Sequence, residues 1–109
     1  MSSSHLFVFA AQRRAVAELQ AIYDRFVRLV QEGARVTVFL VEDGVLSARR
    51  GPHAESLALA TAAGVEVLAD RRSLGDRGLR ASKLVAGVRT TDLDALVNRV
   101  ADGERATWL

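Results

Sequence analysis

Apolar runs and polar breaks alternate along the chain. Leu6 to Ala10 ("LFVFA") is a short unbroken apolar run, rich in aromatic and branched residues, and predicts a buried strand. From Ala11 the period changes. Val16, Leu19, Ile22, Tyr23, Phe26, Leu29 and Val30 recur at helical spacing, and Gly33 is placed to end that helix as a left-handed cap. Val36 to Val41 predicts a second strand, stopped by Glu42, Asp43 and Gly44. One or two helical turns over "GVLSARRG" come next, then a helix from Pro52 to about Ala63 that ends at Gly64. "VEVLA" (65–69) predicts a third strand and "LVAGVRT" (84–90) a fourth, separated by a polar, glycine-broken loop with at most one helical turn. Thr91 and Asp94 have capping-box spacing. Leu93, Leu96, Val97 and Val100 form the stripe of a last helix, closed by Gly103, and "RATWL" ends the chain as a short strand or docked tail.

Continuous apolar strands alternating with helices point to a parallel sheet covered on both faces. Right-handed crossovers then make a small doubly wound α/β sandwich of four or five mostly parallel strands, in one domain over residues 1–109. Half of the residues are hydrophobic, enough for a core without disulfides or metals.

The charge balance, 15 Lys plus Arg against 13 Asp plus Glu, leaves +2, which argues against a nucleic-acid partner. There is no cysteine. Its absence removes disulfides, thiolate nucleophiles and Cys-ligated metal or iron–sulfur centres, and fits a cytoplasmic address. The N-terminal decapeptide lacks a basic leader region, and no stretch nears the ~20 apolar residues of a membrane span.

In such a sheet, ligands sit outside the carboxyl ends of the strands. That rim would carry Gln12, Arg13, Glu42, Asp43, Asp70, Arg71, Arg72, Thr90 and Thr91. Asp43–Gly44 reads mainly as a structural turn, with Gly44 for backbone freedom and Asp43 as a helix cap; the alternative is a rim carboxylate meeting a partner or ligand. Arg71, Arg72 and Arg77 suit an anion, but neither a GK[ST] phosphate loop nor a G-x-G-x-x-G follows a strand. The competing reading is a solvated loop that pairs its own charges. His5 and His53 lack partners at ligand spacing, and the serines lack a nucleophile elbow, so no catalytic residues, metal or cofactor are assigned. Trp108 reads as a packing anchor, either within the chain or at a subunit contact.

Three segments taken in order go further. "FVRLVQEGARVTVFLVEDGVLSA", "VEVLADRRSLGDRGL" and "TTDLDALVNRVADGERATWL" resemble the DsrE/DsrF/DsrH family, most closely its DsrH/TusB branch. Together they cover most of the chain after residue 20. The resemblance implies a cytoplasmic sulfur-relay protein that forms homo-oligomers, or hetero-oligomers with cysteine-bearing DsrE/DsrF-like subunits, and that meets a sulfur-carrier protein. In the E-type subunit the active cysteine lies just after the third strand, where this chain has Leu68, Ala69 and Asp70. A persulfide needs sulfur, so the expected role is that of a non-catalytic subunit or docking partner. A stand-alone module binding a small anion or nucleotide is the alternative.

Overall fold

The computed structural model describes residues 3–109. Five parallel strands form one sheet: β1 (Ser4–Phe9), β2 (Arg35–Leu40), β3 (Glu66–Asp70), β4 (Arg89–Thr91) and β5 (Ala106–Trp108). Their order is β4-β3-β2-β1-β5, so β1, β2 and β3 are central and the two three-residue strands are the edges. The predicted doubly wound α/β sandwich is therefore present, with the upper number of strands.

The alternation of side chains along each strand sorts them into two layers. Val36, Val38 and Leu40 of β2, with Val67 and Ala69 of β3, face α1 (Val16–Gln31), α2 (Ala54–Ala62) and α3 (Arg71–Asp76). Within that layer Phe7 stacks on Phe26 at 4.4 Å between ring centroids. Leu6, Val8, Phe39 and Val41 face the other way and pack on Leu96 of α4 (Leu93–Ala101). Each fully buried aliphatic side chain of these layers contributes about 1.5–3 kcal/mol. Three helices thus share one face, and a single nine-residue helix covers the other.

Glycines end the helices as expected. Gly33, Gly64 and Gly103 all have positive φ, of 94°, 108° and 101°. The helix predicted from Pro52 starts two residues later, at Ala54, after a turn. The glycine-broken loop contains α3, which is longer than the single turn expected and is capped by Asp70.

Two expectations change. The apolar run 84–90 does not form a strand along its length; only Arg89–Thr91 pairs with β3. Its first half bonds elsewhere. Leu84 makes an antiparallel bridge to Arg49, and the Val85 amide donates to the Ala48 carbonyl at 2.9 Å. Leu84 is apolar because it plugs the core beside the segment after β2, not because it joins the sheet. The capping box also fails: Thr91 ends β4, and Asp92 stands at the N-cap of α4 without a side-chain cap bond.

At the other end of α4, Arg99 reaches over the turn to Glu104, with Nε and Nη2 each donating to a carboxylate oxygen at 3.0 and 2.9 Å. These bonds lower the Glu104 pKa from its ordinary 4.5. Lowered carboxylates stabilise the fold above their unfolded pKa, and that contribution disappears as pH falls through the native value. Glu104→Gln is therefore expected to flatten the acid limb of a plot of Tm against pH below about 4.5, leaving the shape above pH 6 unchanged.

Candidate functional site

The segments after β2 and β3 shape the carboxyl ends of the strands. After Leu40 the chain turns through Val41 into a 3₁₀ helix, Glu42–Ala48. Glu42 enters it with φ of 50°, the one non-glycine residue with positive φ among the described residues. Its amide is held by the Ser73 hydroxyl at 2.8 Å. Ser73 in turn donates from Oγ to Asp70 Oδ2 at 2.6 Å, and its amide donates to the same oxygen at 3.1 Å. Asp70 and Ser73 are buried. The network pins the tip of β2 to that of β3.

Gly44 is required for a reason other than the expected one. Its φ lies outside the left-handed region; instead, a Cβ there would stand 2.0 Å from the Phe9 carbonyl oxygen and 2.8 Å from its carbon. The backbone after β2 therefore runs against the end of β1 with no room for a side chain. Asp43 is not a helix cap either. Its Oδ1 accepts from Arg77 Nε at 2.9 Å, while Arg77 Nη2 lies 3.4 Å from Glu42 and Nη1 donates to the Ser73 carbonyl at 3.1 Å. The bond to Asp43, aided by Glu42, raises the Arg77 pKa above its ordinary value.

Of the sequence-selected rim residues, the structure brings together Asp43, Asp70 and Arg77 through Ser73 and Glu42. Arg71 is not part of this network and pairs with Asp92. Arg72 makes no hydrogen bond or ion pair among the described residues and lines a depression of about 510 Å³. Glu42, Asp70, Asp76, Asp92 and Asp94 line it too, five carboxylates against one guanidinium. Glu42 and Asp92 are paired with Arg77 and Arg71, and the remaining Asp70, Asp76 and Asp94 outnumber Arg72, which makes the depression a poor seat for an added anion. Ser73 is the residue that sequence reasoning passed over. Its spacing of three from Asp70, directly after a strand, is the local signal of an Asp-capped helix.

The other candidate surface lies on the single-helix face. Of the α4 stripe only Leu96 is buried; Leu93, Val97 and Val100 are 47, 56 and 47% exposed. Trp108 projects from β5 beside them at 62%. It is no core anchor. With Ala106 and Arg105 these side chains line an open groove of about 660 Å³.

The family model of the DsrE/DsrF-like family matches residues 8–107. The chain belongs to the DsrE/DsrF-like family. The match spans the β2–β3 tips and α4, and ends within β5, one residue before Trp108. Two solved structures have the same fold. MTH1491 from Methanobacterium thermoautotrophicum, described as a protein of unknown function, superposes with a TM-score of 0.83 at 18% identity, covering 99% of this chain and 100% of its own. The ychN protein from E. coli gives 0.79 at 19% identity, with 100% of both chains covered. Comparison with curated proteins gives no significant match. In this member of the DsrE/DsrF-like family, the turn after β3 holds a buried aspartate committed to capping α3.

Proposed function

We propose that this chain is a non-catalytic subunit, or docking partner, of an intracellular sulfur-relay or sulfur-metabolism assembly, in the manner of the DsrH/TusB branch. The observation that carries the reading is the exposed apolar face of α4 and Trp108. A contiguous patch of three aliphatic side chains and a tryptophan on a small domain is the mark of an interaction surface. Membership of the family supports a sulfur pathway, and the absence of a thiol supports a non-catalytic role. Sulfur passes between cysteines, this chain has none, and a cysteine-bearing subunit would carry the persulfide.

The anion-binding alternative loses support at the rim. Arg77 and Arg71 are engaged by carboxylates of the chain itself, and Arg72 faces an acidic depression. The test is native mass spectrometry of the tagged protein purified gently from its own host. Co-purification in fixed ratio with a cysteine-bearing relative or a small sulfur carrier is the expected result. A complex with a bound anion or nucleotide and without a sulfur-handling protein would overturn the reading.

A further inference from the structure

A cluster of cations lies on the three-helix side of the sheet, away from α4. After the 3₁₀ helix Glu42–Ala48 the chain runs beside a short 3₁₀ turn, Ala81–Lys83, and the Arg49–Leu84 bridge ties the two together. The Arg50 amide donates to the Lys83 carbonyl at 3.3 Å, and the Lys83 amide donates to the Arg80 carbonyl at 2.9 Å. Leu84 turns into the core layer beneath α1, α2 and α3, so Lys83 and, directly across from it, Arg50 turn out. Arg49, Arg50, Arg80 and Lys83 are all exposed, and none has an ion-pair partner among the described residues. Arg35, Arg89 and Arg99, by contrast, gather round Glu66. Like charges opposite one another across a bridge are destabilising, so the fold bears a repulsion here that no carboxylate of its own relieves.

We infer that Arg49, Arg50, Arg80 and Lys83 form a docking surface for an acidic segment of a partner protein. The inference goes beyond the sulfur-relay reading and does not rest on it. The four side chains lie outside the two depressions described above, so their ligand is an extended anion rather than a small molecule held in a cleft. Carboxylates spaced along a peptide meet three guanidinium forks and one ammonium there, and such complementarity sets partner choice and association rate. A single-stranded nucleic acid would need aromatic rings to stack on, and a lipid surface would need an apolar side chain to enter it. The segments 42–52 and 79–85 contain no Phe, Tyr or Trp and no exposed large apolar side chain. A duplex would run past the patch, and a chain of net charge +2 has little positive field beyond it to hold one. Because the patch and the α4 face lie on opposite sides of the sheet, an acidic partner leaves α4 free for another.

The probe is a fluorescein-labelled deca-glutamate peptide, titrated with the full chain at low salt and followed by fluorescence anisotropy. Binding is expected, and it should weaken steeply as salt screens the exposed charges. Lys83→Glu should weaken it roughly tenfold and yet raise Tm, because the repulsive pair across the bridge becomes an attractive one. A variant that gains stability while losing the peptide does not lose it by unfolding. Arg50→Gln with Arg80→Gln should also weaken binding roughly tenfold. Arg25→Gln with Arg28→Gln removes the same charge from exposed positions on α1 and should leave binding unchanged. Absence of binding, or equal binding by the two double variants, would overturn the inference. So would a thymidine decamer, or vesicles rich in phosphatidylglycerol, bound more tightly than the peptide through the same four residues. Each of those results leaves the sulfur-relay reading standing, and native mass spectrometry without a sulfur-handling protein leaves the acidic docking surface standing.

Discussion

Gly44→Ala is expected to be among the most destabilising single-methyl additions available in this protein. The new Cβ would lie 2.0 Å from the Phe9 carbonyl oxygen, a contact with backbone rather than with a side chain that could swing aside. Relief requires the start of the 3₁₀ helix to move away from the end of β1. That motion disturbs the Gly44–Val41 bond of 2.8 Å and the Val41–Phe9 bond of 2.9 Å. A loss of about 3 kcal/mol or more is expected, at the upper end for overpacking. For a domain of this size it corresponds to a fall in Tm on the order of 15 °C. Gly75→Ala in α3 is the control. Nothing lies within 4 Å of its added Cβ, and its backbone is helical, so it should raise stability by roughly 0.5–1 kcal/mol. Thermal melts of the two variants side by side decide the matter. A Gly44→Ala protein that melts with the wild type would show that the β1–β2 tips are not held together as described.

The second large effect is expected at Ser73, whose hydroxyl both accepts from the Glu42 amide and donates to the Asp70 carboxylate. Ser73→Ala deletes both bonds while leaving the groups they served. Asp70 retains the Ser73 amide, but Glu42, already in a left-handed conformation, loses the protein partner of its amide. Leaving such groups unpaired costs about 1–3 kcal/mol in a part-buried network that includes a buried carboxylate. Chemical denaturation should show a lower midpoint with an unchanged slope. Ser73→Thr, which keeps the hydroxyl, should recover part of the loss. A neutral Ser73→Ala would mean that the two strand tips are joined by packing alone.

The central strands and α1 are legible in the sequence because their signals are local. The unbroken run Val36–Val41 shows burial on both faces, and the Val16–Val30 stripe shows a one-sided helix, whatever surrounds them. The errors fall where an apolar residue has a choice of neighbours. Leu84 and Val85 look like strand residues because burial alone does not tell a sheet partner from the carbonyl of Ala48. The stripe Leu93, Leu96, Val97, Val100 marks α4 as amphipathic, yet spacing does not say that Leu96 alone reaches its own core. The same holds at the rim. Asp43 and Arg77 are 34 residues apart, so their bond is invisible to a reading by neighbourhood, and the turn chemistry of Asp-Gly points to a cap instead. Gly44 stands out in the sequence as a structural glycine, but the reason it is needed is a backbone contact that only the assembled sheet contains.

The placement of one short helix over half of the sheet has a kinetic side. α4 and the three-residue β5 are consecutive elements, and among the described residues β5 is joined to the sheet only through β1. Such a segment is suited to open as a unit, with its amides exchanging into deuterated water ahead of those in β1, β2 and β3. Opening would bare Leu6, Val8 and Phe39 and turn β1 into a raw edge, the form of the molecule most prone to recruit another strand. Whatever clasps α4 from outside therefore acts on the lifetime of that opening, and slows deuterium uptake at Leu6 and Val8 although it touches neither.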